Sequence, residues 1–352
     1  MPGIGPSERF SLAAVPGLLL AELARCERGV IVLAVDGLSH RVAERAWPSA
    51  AITYLTSTFP STSATGWLTA LTGAGPMEHG VPGMVHRVGA SLVNAVTGAV
   101  LAGEPEHGPL VASARPTVFE RAAGVRCLTI GRELDHLTGE WARTLLRGAT
   151  PAGPTLAPAV LAAQAADPDA LAAAVTAEVS AVVGGPGRAL LWVYVNLDDH
   201  VHANGYDGRA VAAVERLGVA ALGWAADGWT VVAHSDHGQV PARPDPALAT
   251  AWAALDDPAE CELPSGGAGR VRWLHPRPGR EDALRARAAD ALGDAAMVLS
   301  PGELGLPPDR VGAVVAVAAS DRFPVPDPGV RHEHGGTDVD EMVIPFAVWR
   351  PR

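Results

Sequence analysis

The stretch RGVIVLAVD, from Arg28 to Asp36, is a continuous run of apolar and β-branched residues that ends in a carboxylate. Such a run is typical of a β-strand that is covered on both faces by helices. The same character is found in three further runs: LLWVYVN (190–196), WTVVAHSD (229–236) and VIPFAVW (343–349). Ala-rich segments typical of helices lie between the runs or beside them, at 156–183, 209–226 and 280–292. The sequence therefore predicts an α/β fold in which a largely parallel central sheet is sandwiched between helices.

The length of the chain favours one large domain. With 352 residues and 48% hydrophobic content it can bury a substantial core, so we predict a single catalytic domain over 1–352. Two segments lack helical periodicity, 85–116 and 241–276, and the second has a hairpin-like pattern at 267–274. We predict that both are small lid insertions beside the main sheet.

Charge and cysteine content restrict the partners and the compartment. The net charge is -11 and no basic block occurs, which argues against a nucleic-acid polymer or an anionic membrane as partner. All 27 basic residues are Arg, which excludes a lysine nucleophile. The three cysteines form no paired motif, the N-terminal stretch does not resemble a secretory signal, and no apolar run is long enough to cross a membrane. We therefore expect a cytoplasmic protein, whose oligomeric state the sequence does not indicate.

Carboxylates and imidazoles recur where the predicted strands end. The carboxyl ends of parallel strands meet at one edge of a sheet, so residues far apart in sequence can share a pocket there. Carboxylate oxygens and imidazole nitrogens together suit a metal such as zinc. The candidates are Asp36, Asp198 and His202 in DDHVHANG, Asp236 and His237 before Gly238, and His332 or His334 in HEHGG.

A hydroxyl-rich turn, Ser61-Thr62-Ser63, precedes a helix-like segment that ends at Thr72-Gly73. At a helix N-terminus, free amides and the helix dipole stabilise an anion, so a hydroxyl there suits a nucleophile. Ordinary N-capping by Ser or Thr explains the same pattern. The residues alone leave both interpretations open.

Five motifs occur along the chain in one order: VLAVDG, FPSTSAT…LTG…P…EHGVPG, D-x-x-x-H-x-x-G, SDHG and HGG…EM-x-x-P. In this order they resemble the alkaline phosphatase superfamily, and within it the type I phosphodiesterase and nucleotide pyrophosphatase branch. The resemblance extends from Arg28 to the end of the chain. It implies an alkaline phosphatase-like fold.

The resemblance also implies a site with two divalent metal ions, by default Zn²⁺, with Mn²⁺ as an alternative. One ion would be held by Asp36, Asp236 and His237. The other would be held by Asp198, His202 and His334. The mixed oxygen and nitrogen donors agree with zinc.

The family nucleophile lies nine positions before the threonine of the Thr-Gly pair, which here selects Ser63. Thr62 is the alternative, since a shift of one residue in the turn would exchange the two, and Thr58 is a weaker third. The implied reaction is hydrolysis of a phosphodiester or pyrophosphate in a small phosphorylated metabolite, of the nucleotide or nucleotide-sugar type, through a phosphoseryl intermediate.

The chain departs from the family pattern at two places. Met84 stands where relatives have an Asn that holds a phosphoryl oxygen; His86, Arg87 or a main-chain amide near Gly83 could replace that contact. Val201 stands where relatives have Gly, and the same loop carries Asp199 and His200, which either tune the site or face solvent. The remaining histidines are interpreted as structural or surface residues, with His79 and His86 also considered as support for the site: His40, His79, His86, His107, His136 and His275.

Other functions on the same scaffold stay open. A phosphomonoesterase is the nearest competitor, followed by a phosphonate hydrolase; a sulfatase is disfavoured because no Cys-x-Pro-x-Arg motif occurs. A non-catalytic metal-binding member is the alternative of a different class. Ser at the nucleophile position gives no sign of lost catalysis.

Overall fold

The structure, a computed structural model, describes residues 11–105, 108–112, 115–325 and 327–351. The strands in these residues are β1 Gly29–Asp36, β2 Ala51–Thr56, β3 Val85–Val88, β4 Ser91–Asn94, β5 Val100–Ala102, β6 Arg126–Ile130, β7 Thr150–Pro151, β8 Ala189–Asn196, β9 Thr230–His234, β10 Val240–Pro241, β11 Arg243–Pro244, β12 Cys261–Ala268, β13 Val271–Pro276, β14 Ala296–Leu299, β15 Val314–Ala318, β16 Arg322–Phe323, β17 His332–Glu333 and β18 Val343–Trp349.

The α-helices in the same residues are α1 Val15–Arg25, α2 His40–Ala46, α3 Ser63–Thr72, α4 Pro76–His79, α5 Val118–Arg121, α6 Glu140–Leu145, α7 Pro158–Ala165, α8 Pro168–Val183, α9 Asp198–Asn204, α10 Gly208–Ala226, α11 Pro246–Leu255, α12 Glu281–Leu292, α13 Pro301–Leu304 and α14 Val339–Met342. Short 3₁₀ turns occur at Leu12–Ala14, Arg132–His136 and Gly293–Ala295.

The central sheet has seven strands in the order β2-β18-β9-β1-β8-β6-β7. The five strands from β9 to β7 run parallel, whereas β18 is antiparallel to both of its neighbours. Every residue of β1 and β8 is buried, as the unbroken apolar runs predict for strands covered on both sides. The predicted α/β fold with a largely parallel sheet is confirmed.

Alternate residues of β1 supply the two layers of the core. Val30, Val32 and Ala34 pack into a cluster with residues of α1 and α3. Ile31, Leu33 and Val35 belong to the cluster on the opposite face, with residues of α2, α8 and α10. Burial of each such branched side chain contributes about 1.5–3 kcal/mol. This two-sided packing holds the strand ends firmly in place.

Two local boundaries differ from the sequence patterns. The helical stretch at 156–183 is divided into α7 and α8, because Pro168 begins a new helix that Asp167 caps through the amides of Asp169 and Ala170. The predicted strand to Asp236 ends at His234, because Ser235 to His237 turn away from the sheet. This turn places Asp236 and His237 at the sheet edge.

A second seven-stranded sheet has the order β14-β15-β13-β12-β3-β4-β5 and is antiparallel throughout. Both segments that were predicted to be lids contribute to it: 85–116 supplies β3 to β5, and 241–276 supplies β12 and β13. The hairpin predicted at 267–274 is confirmed by the pairing of β12 with β13. His107 lies outside the described residues, and the lid role stays a prediction.

The sheet registers bring the candidate residues to one edge. Asp36 pairs with Asn196 at the ends of β1 and β8, and Ala34 pairs with His234 at the end of β9. Asp198 lies two residues beyond the end of β8, and Asp236 lies two residues beyond the end of β9. The carboxylates of Asp36, Asp198 and Asp236 are therefore at the same edge of the sheet. Within the described part of the chain, no helix has the length and apolar character needed to cross a bilayer.

Candidate active site

The hydroxyl turn lies at the start of α3. Ser63 is the first residue of that helix, and its Oγ donates a hydrogen bond to Asp36 Oδ1 at 3.1 Å and lies 3.1 Å from His237 Nε2. Thr62 is wholly buried and its hydroxyl contacts Thr65 Oγ1 at 3.2 Å. Ser63 is therefore the hydroxyl of this pair that faces the acid and imidazole groups.

The third candidate nucleophile has a local partner instead. The hydroxyl of Thr58 donates to the carbonyl of Pro60 at 3.0 Å, and the side chain is almost fully buried. Its hydrogen bond stabilises the turn that leads into α3. Of the three candidate hydroxyls, the geometry thus favours Ser63.

Asp36, Asp236 and His237 form a group that we call the inner group. Atoms that could bind one ion, one from each residue, all lie within 4.8 Å of one another. His237 Nε2 is 3.5 Å from Asp36 Oδ1 and 3.3 Å from Asp236 Oδ2. The Oδ2 atom of Asp236 is buried without a hydrogen-bond partner among the described residues. A buried carboxylate oxygen without a partner is unfavourable, and a cation would satisfy it.

Asp198, His202 and His334 form the outer group, which meets the same distance criterion. One turn of α9 separates Asp198 from His202 and places His202 Nε2 3.1 Å from Asp198 Oδ2. The ring of His334 stacks on that of His237 from the inner group, with 3.7 Å between centroids and 16° between planes. The two groups are therefore in direct contact.

The three histidines of both groups are oriented alike. In each ring Nδ1 is close to a main-chain carbonyl: that of His332 for His202 (2.8 Å), of Gly238 for His237 (3.2 Å) and of Ser61 for His334 (2.7 Å). When Nδ1 carries the proton and donates it to the carbonyl, Nε2 retains a lone pair. This is how proteins commonly prepare a histidine for a metal.

Burial shapes the electrostatics of the inner group. Burial, together with the charge of Asp198, raises the pKa of Asp36 to about 7, and burial with the charge of Asp36 raises the pKa of Asp236 well above its usual range. Burial also lowers the pKa of His237 to about 4. Carboxylates crowded in a dry site resist ionisation, and a bound cation would remove that penalty.

In the outer group the pKa of one histidine is lowered and the pKa of the other is raised. Burial lowers the pKa of His334 to about 4. Burial also disfavours the cation of His202, but the charges of Asp198 and Glu333 outweigh it and raise the pKa of His202 to about 10. The imidazolium of His202 in turn lowers the pKa of Asp198 in spite of its burial. Without a metal, this acid and base neutralise each other.

Three further residues donate hydrogen bonds to carboxylates of the two groups, and the sequence interpretation missed them. Tyr194 Oη donates to Asp36 Oδ2 at 2.5 Å, and Trp67 Nε1 donates to the same oxygen at 3.1 Å. Gln239 Nε2 donates to Asp198 Oδ1 at 2.5 Å. Tyr194 could have been recognised from the sequence, because it lies in a run predicted to be a fully buried strand and a buried tyrosine hydroxyl needs a hydrogen-bond partner.

A cavity of about 600 Å³ opens beside the outer group. Among the predicted substrate contacts, Met84 lines it. His86 is wholly buried, with Nδ1 3.2 Å from the carbonyl of Gly83. Arg87 forms an ion pair with Glu262 and donates to the carbonyl of Gly89 at 2.7 Å. Neither His86 nor Arg87 is among the residues that line this cavity.

The remaining polar residues of the motifs have distinct places. Asp199 lines the cavity, whereas His200 is buried and lies 3.1 Å from Asp207 Oδ1. His79 is buried near Thr69 and accepts a hydrogen bond from the amide of Val81 at 3.1 Å. His332 contributes its carbonyl to the orientation of His202. The DDHVHANG segment, predicted as a loop, forms helix α9, and its two extra polar residues differ: Asp199 lines the cavity, whereas His200 is buried beside Asp207.

A hydroxyl at a helix start, beside two adjoining acid and histidine groups at the edge of an α/β sheet, defines the alkaline phosphatase-like class of hydrolases. The family model for type I phosphodiesterase / nucleotide pyrophosphatase matches residues 30–309. The chain belongs to this family. Among curated proteins, none gives a significant sequence match.

Solved structures with the same fold span nearly the whole chain. Phosphonoacetate hydrolase from Sinorhizobium meliloti 1021, in complex with phosphonoformate, has a TM-score of 0.60 and 19% identity, covering 93% of this chain and 91% of its own. An inactive variant of murine ectonucleotide pyrophosphatase/phosphodiesterase 5, in complex with AMP, has a TM-score of 0.59 and 16% identity, covering 92% and 88%. The human form of the latter has a TM-score of 0.60 and 13% identity with the same coverage.

At these identities the similarity bears on the fold alone, and it confirms the predicted alkaline phosphatase-like architecture. The family match adds the class of activity. The chain is a hydrolase of a superfamily whose members include phosphodiesterases, pyrophosphatases and phosphonate hydrolases.

Proposed function

We propose that this chain is a metal-dependent phosphodiesterase that cleaves a phosphodiester or pyrophosphate bond in a small phosphorylated metabolite, with Ser63 as nucleophile. The family suggests the nucleotide or nucleotide-sugar type as the first substrates to consider. The position of Ser63 Oγ carries the proposal, since it lies 3.1 Å from both Asp36 Oδ1 and His237 Nε2 at the start of α3. A hydroxyl in this place meets acid and base partners and a helix dipole at once.

The two groups would each hold one divalent cation, with Zn²⁺ the best match to their mixed donors and Mn²⁺ the alternative. The partnerless Asp236 Oδ2 and the three Nε2 atoms favour this occupancy. When bound, the cations would lower the pKa of the Ser63 hydroxyl and stabilise negative charge on phosphoryl oxygens.

The residues of the chain account for two displacement steps. The Ser63 hydroxyl loses its proton, for which Asp36 Oδ1 is the nearby acceptor, as its oxygen bonds to phosphorus and the ester bond breaks. The departing oxygen takes up a proton. Water then attacks the phosphoseryl group, the bond from phosphorus to Oγ breaks, and Ser63 regains its proton. One water is consumed. A phosphodiester gives a phosphomonoester and an alcohol, and a pyrophosphate gives two phosphates.

A phosphonate hydrolase is the second candidate. Its support is Met84, which stands in place of the Asn that holds a phosphoryl oxygen in the family. The phosphomonoesterase and the non-catalytic metal-binding member remain further alternatives. A cytoplasmic location stays a prediction; Cys26, Cys127 and Cys261 are all free thiols, which accords with it.

A substrate panel with nucleophile variants tests this proposal. Bis-p-nitrophenyl phosphate should be hydrolysed much faster than p-nitrophenyl phosphate or phosphonoacetate, and a chelator should stop turnover until Zn²⁺ is restored. Ser63→Ala should lower kcat by roughly 10³-fold or more, since an activated nucleophile is lost, whereas Thr62→Ala should retain most activity.

The reverse substrate preference would rule out the diesterase in favour of the corresponding alternative. Activity lost in Thr62→Ala but kept in Ser63→Ala would overturn the nucleophile assignment. Full activity after exhaustive chelation, with no metal found by elemental analysis, would contradict the two-metal site.

A further inference from the structure

The cavity beside the outer group is placed to receive the substituent of a substrate. His202 and His334 form part of its wall, so a phosphoryl group held at the two groups would extend a substituent into it. Its volume of about 600 Å³ is sufficient for a small organic group. The side chains of the cavity wall therefore help to determine which class of substrate can bind.

The wall is acidic and partly apolar. Two carboxylates, Glu333 and Asp199, line it, with Asp327 on an exposed loop beside them. Its other described side chains beyond the two histidines are small or aliphatic: Met84, Val85, Ala203, Ala268 and Val330. The described lining includes neither Arg nor an aromatic ring other than histidine. Apart from its two histidines, the described wall therefore offers neither a cation for an anionic group nor an aromatic ring for stacking a nucleobase.

Glu333 is held rigidly in this wall. It is only 6% exposed, it lies in β17 opposite Val240, and its Oε1 accepts the amide of His334 at 3.0 Å. The same oxygen is 3.7 Å from His202 Nδ1 and 3.7 Å from His334 Nε2. This carboxylate is fixed at the point where the cavity meets the outer group.

The turn between β12 and β13 leaves room for that carboxylate. Gly269 has φ +49°, and a Cβ built on it would lie 2.3 Å from the carbonyl oxygen of His334 and 2.5 Å from Glu333 Oε1. A side chain at position 269 would therefore displace both the His334 backbone and the Glu333 carboxylate, and the left-handed backbone independently favours glycine. The turn between β12 and β13 in the second sheet thus leaves space for the Glu333 carboxylate in the cavity wall.

Asp199 provides a second fixed charge. It follows Asp198 in α9, and its Oδ2 accepts a hydrogen bond from Asn196 Nδ2 at 2.9 Å. Its backbone amide donates to Asn196 Oδ1 at 3.2 Å. Asn196 therefore orients this carboxylate from the end of β8.

We propose that the cavity binds a primary ammonium group, so that the substrate is a phosphodiester of an amino alcohol. Two fixed carboxylates attract an ammonium and accept its hydrogen bonds, which are stronger than those between neutral groups. Without aromatic faces the wall suits a primary ammonium better than a quaternary one. The same charges repel a carboxylate or a second phosphate. This inference rests on the proposed diesterase function and narrows its substrate away from the nucleotide type.

Two synthetic diesters that differ in one group test the inference. In p-nitrophenyl 2-aminoethyl phosphate the substituent ends in an ammonium, and in p-nitrophenyl propyl phosphate a methyl group takes its place. We expect the wild-type kcat/KM to be about tenfold or more higher for the aminoethyl ester, as a charged hydrogen bond predicts. The ratio of the two values isolates the charge, because general damage to the enzyme lowers both values.

Variants of the two carboxylates localise the effect. Glu333→Gln should bring the ratio close to one, and Asp199→Asn should lower it by a smaller factor. The matched control is Glu215→Gln, an exposed acid on α10, which should leave the ratio unchanged.

The outcomes separate the inference from the proposed function. A wild-type enzyme that cleaves both diesters equally, or prefers the propyl ester, overturns the inference alone. So does a preference that persists unchanged in both Glu333→Gln and Asp199→Asn. If neither diester nor bis-p-nitrophenyl phosphate is cleaved, the diesterase proposal fails and the inference with it.

Discussion

The inner and outer groups offer a metal similar donors in different surroundings. In the inner group the three side chains of Asp36, Asp236 and His237 are at most 2% exposed. In the outer group the exposed fractions are 14% for Asp198, 22% for His202 and 9% for His334. The inner group is anchored on the ends of two core strands, whereas the outer group borders the cavity. The difference predicts that a cation held by the inner group would be enclosed beside Ser63, and that one held by the outer group would be more open to exchange and to substrate.

The largest expected effect comes from removal of one ligand from each group. Asp236→Asn should lower kcat/KM by roughly 10³-fold or more, and added Zn²⁺ should not restore it, because the buried site cannot be completed from solvent. Asp198→Asn should lose comparable activity, but millimolar Zn²⁺ should recover part of it. The measurement is kcat/KM against bis-p-nitrophenyl phosphate during a Zn²⁺ titration. Equal recovery in the two variants would remove the distinction between enclosed and open positions.

A smaller effect is expected from the residues that hold Asp36. Tyr194→Phe removes the 2.5 Å hydrogen bond to Asp36 Oδ2 and leaves the one from Trp67. We expect roughly 10- to 100-fold weaker binding of the inner metal, as with other supporting hydrogen bonds, while the outer site keeps its affinity. Calorimetric Zn²⁺ titration of the metal-free protein measures both sites.

The control for this variant is Tyr54→Phe, which alters a tyrosine that is 40% exposed on β2. It should leave both affinities unchanged. If Tyr194→Phe weakened both sites equally, Tyr194 would be a general stability residue and not a positioning residue of the inner group.

The smallest effect concerns a histidine that is buried as deeply as the inner group but belongs to neither group. Burial lowers the pKa of His79 to about 3, below the unfolded value near 6.5. Between these values the unfolded chain binds a proton that the folded chain does not, so His79 makes stability fall as the pH falls from about 6.5 to 3. The slope is at most about 1.4 kcal/mol per pH unit.

Urea unfolding of the metal-loaded protein at pH 7.5 and pH 5 measures this term. His79→Gln should lose less stability between the two pH values than the wild type does. The exposed His136→Gln should behave like the wild type. The histidines of the two groups keep their own pH dependence in both proteins, so the difference between wild type and His79→Gln isolates the contribution of His79. An unchanged profile in His79→Gln would contradict this contribution.

The central sheet could be predicted from the sequence because its information is local. The runs around Val32 and Val193 are apolar on both faces, and each ends in a polar residue where the strand ends. The ordered motifs then indicated the same six ligand candidates that the structure brings together in two groups.

The second sheet could not be predicted in the same way. Its strands are short, Gly267 pairs with Val85 from 182 positions earlier, and β12 carries register shifts near Leu263. Pairing of this kind depends on the finished fold and leaves no periodic signal in the sequence. Apart from the hairpin at 267–274, the segments that form this sheet were therefore recognised only as irregular.

The alternating direction of side chains along β3 explains which of the predicted substrate contacts line the cavity. Met84 and Val85 line it, but the next residue in β3, His86, points to the opposite face of the strand and is wholly buried. Proximity in sequence to Met84 did not reveal this alternation. Trp67 and Tyr194, for their part, have the composition of an ordinary core, and their hydrogen bonds to Asp36 appear only in three dimensions.

The stacking of His334 on His237 has a consequence for the order in which the protein can mature. His334 follows every other candidate ligand in the chain, so it is the last of them to leave the ribosome during synthesis. A nascent chain that has exposed residues only as far as β13 already contains all three members of the inner group but lacks one of the outer group. Synthesis therefore supplies the whole inner group before the outer group is complete, and His334 stacks on the ring of His237, which was made before it.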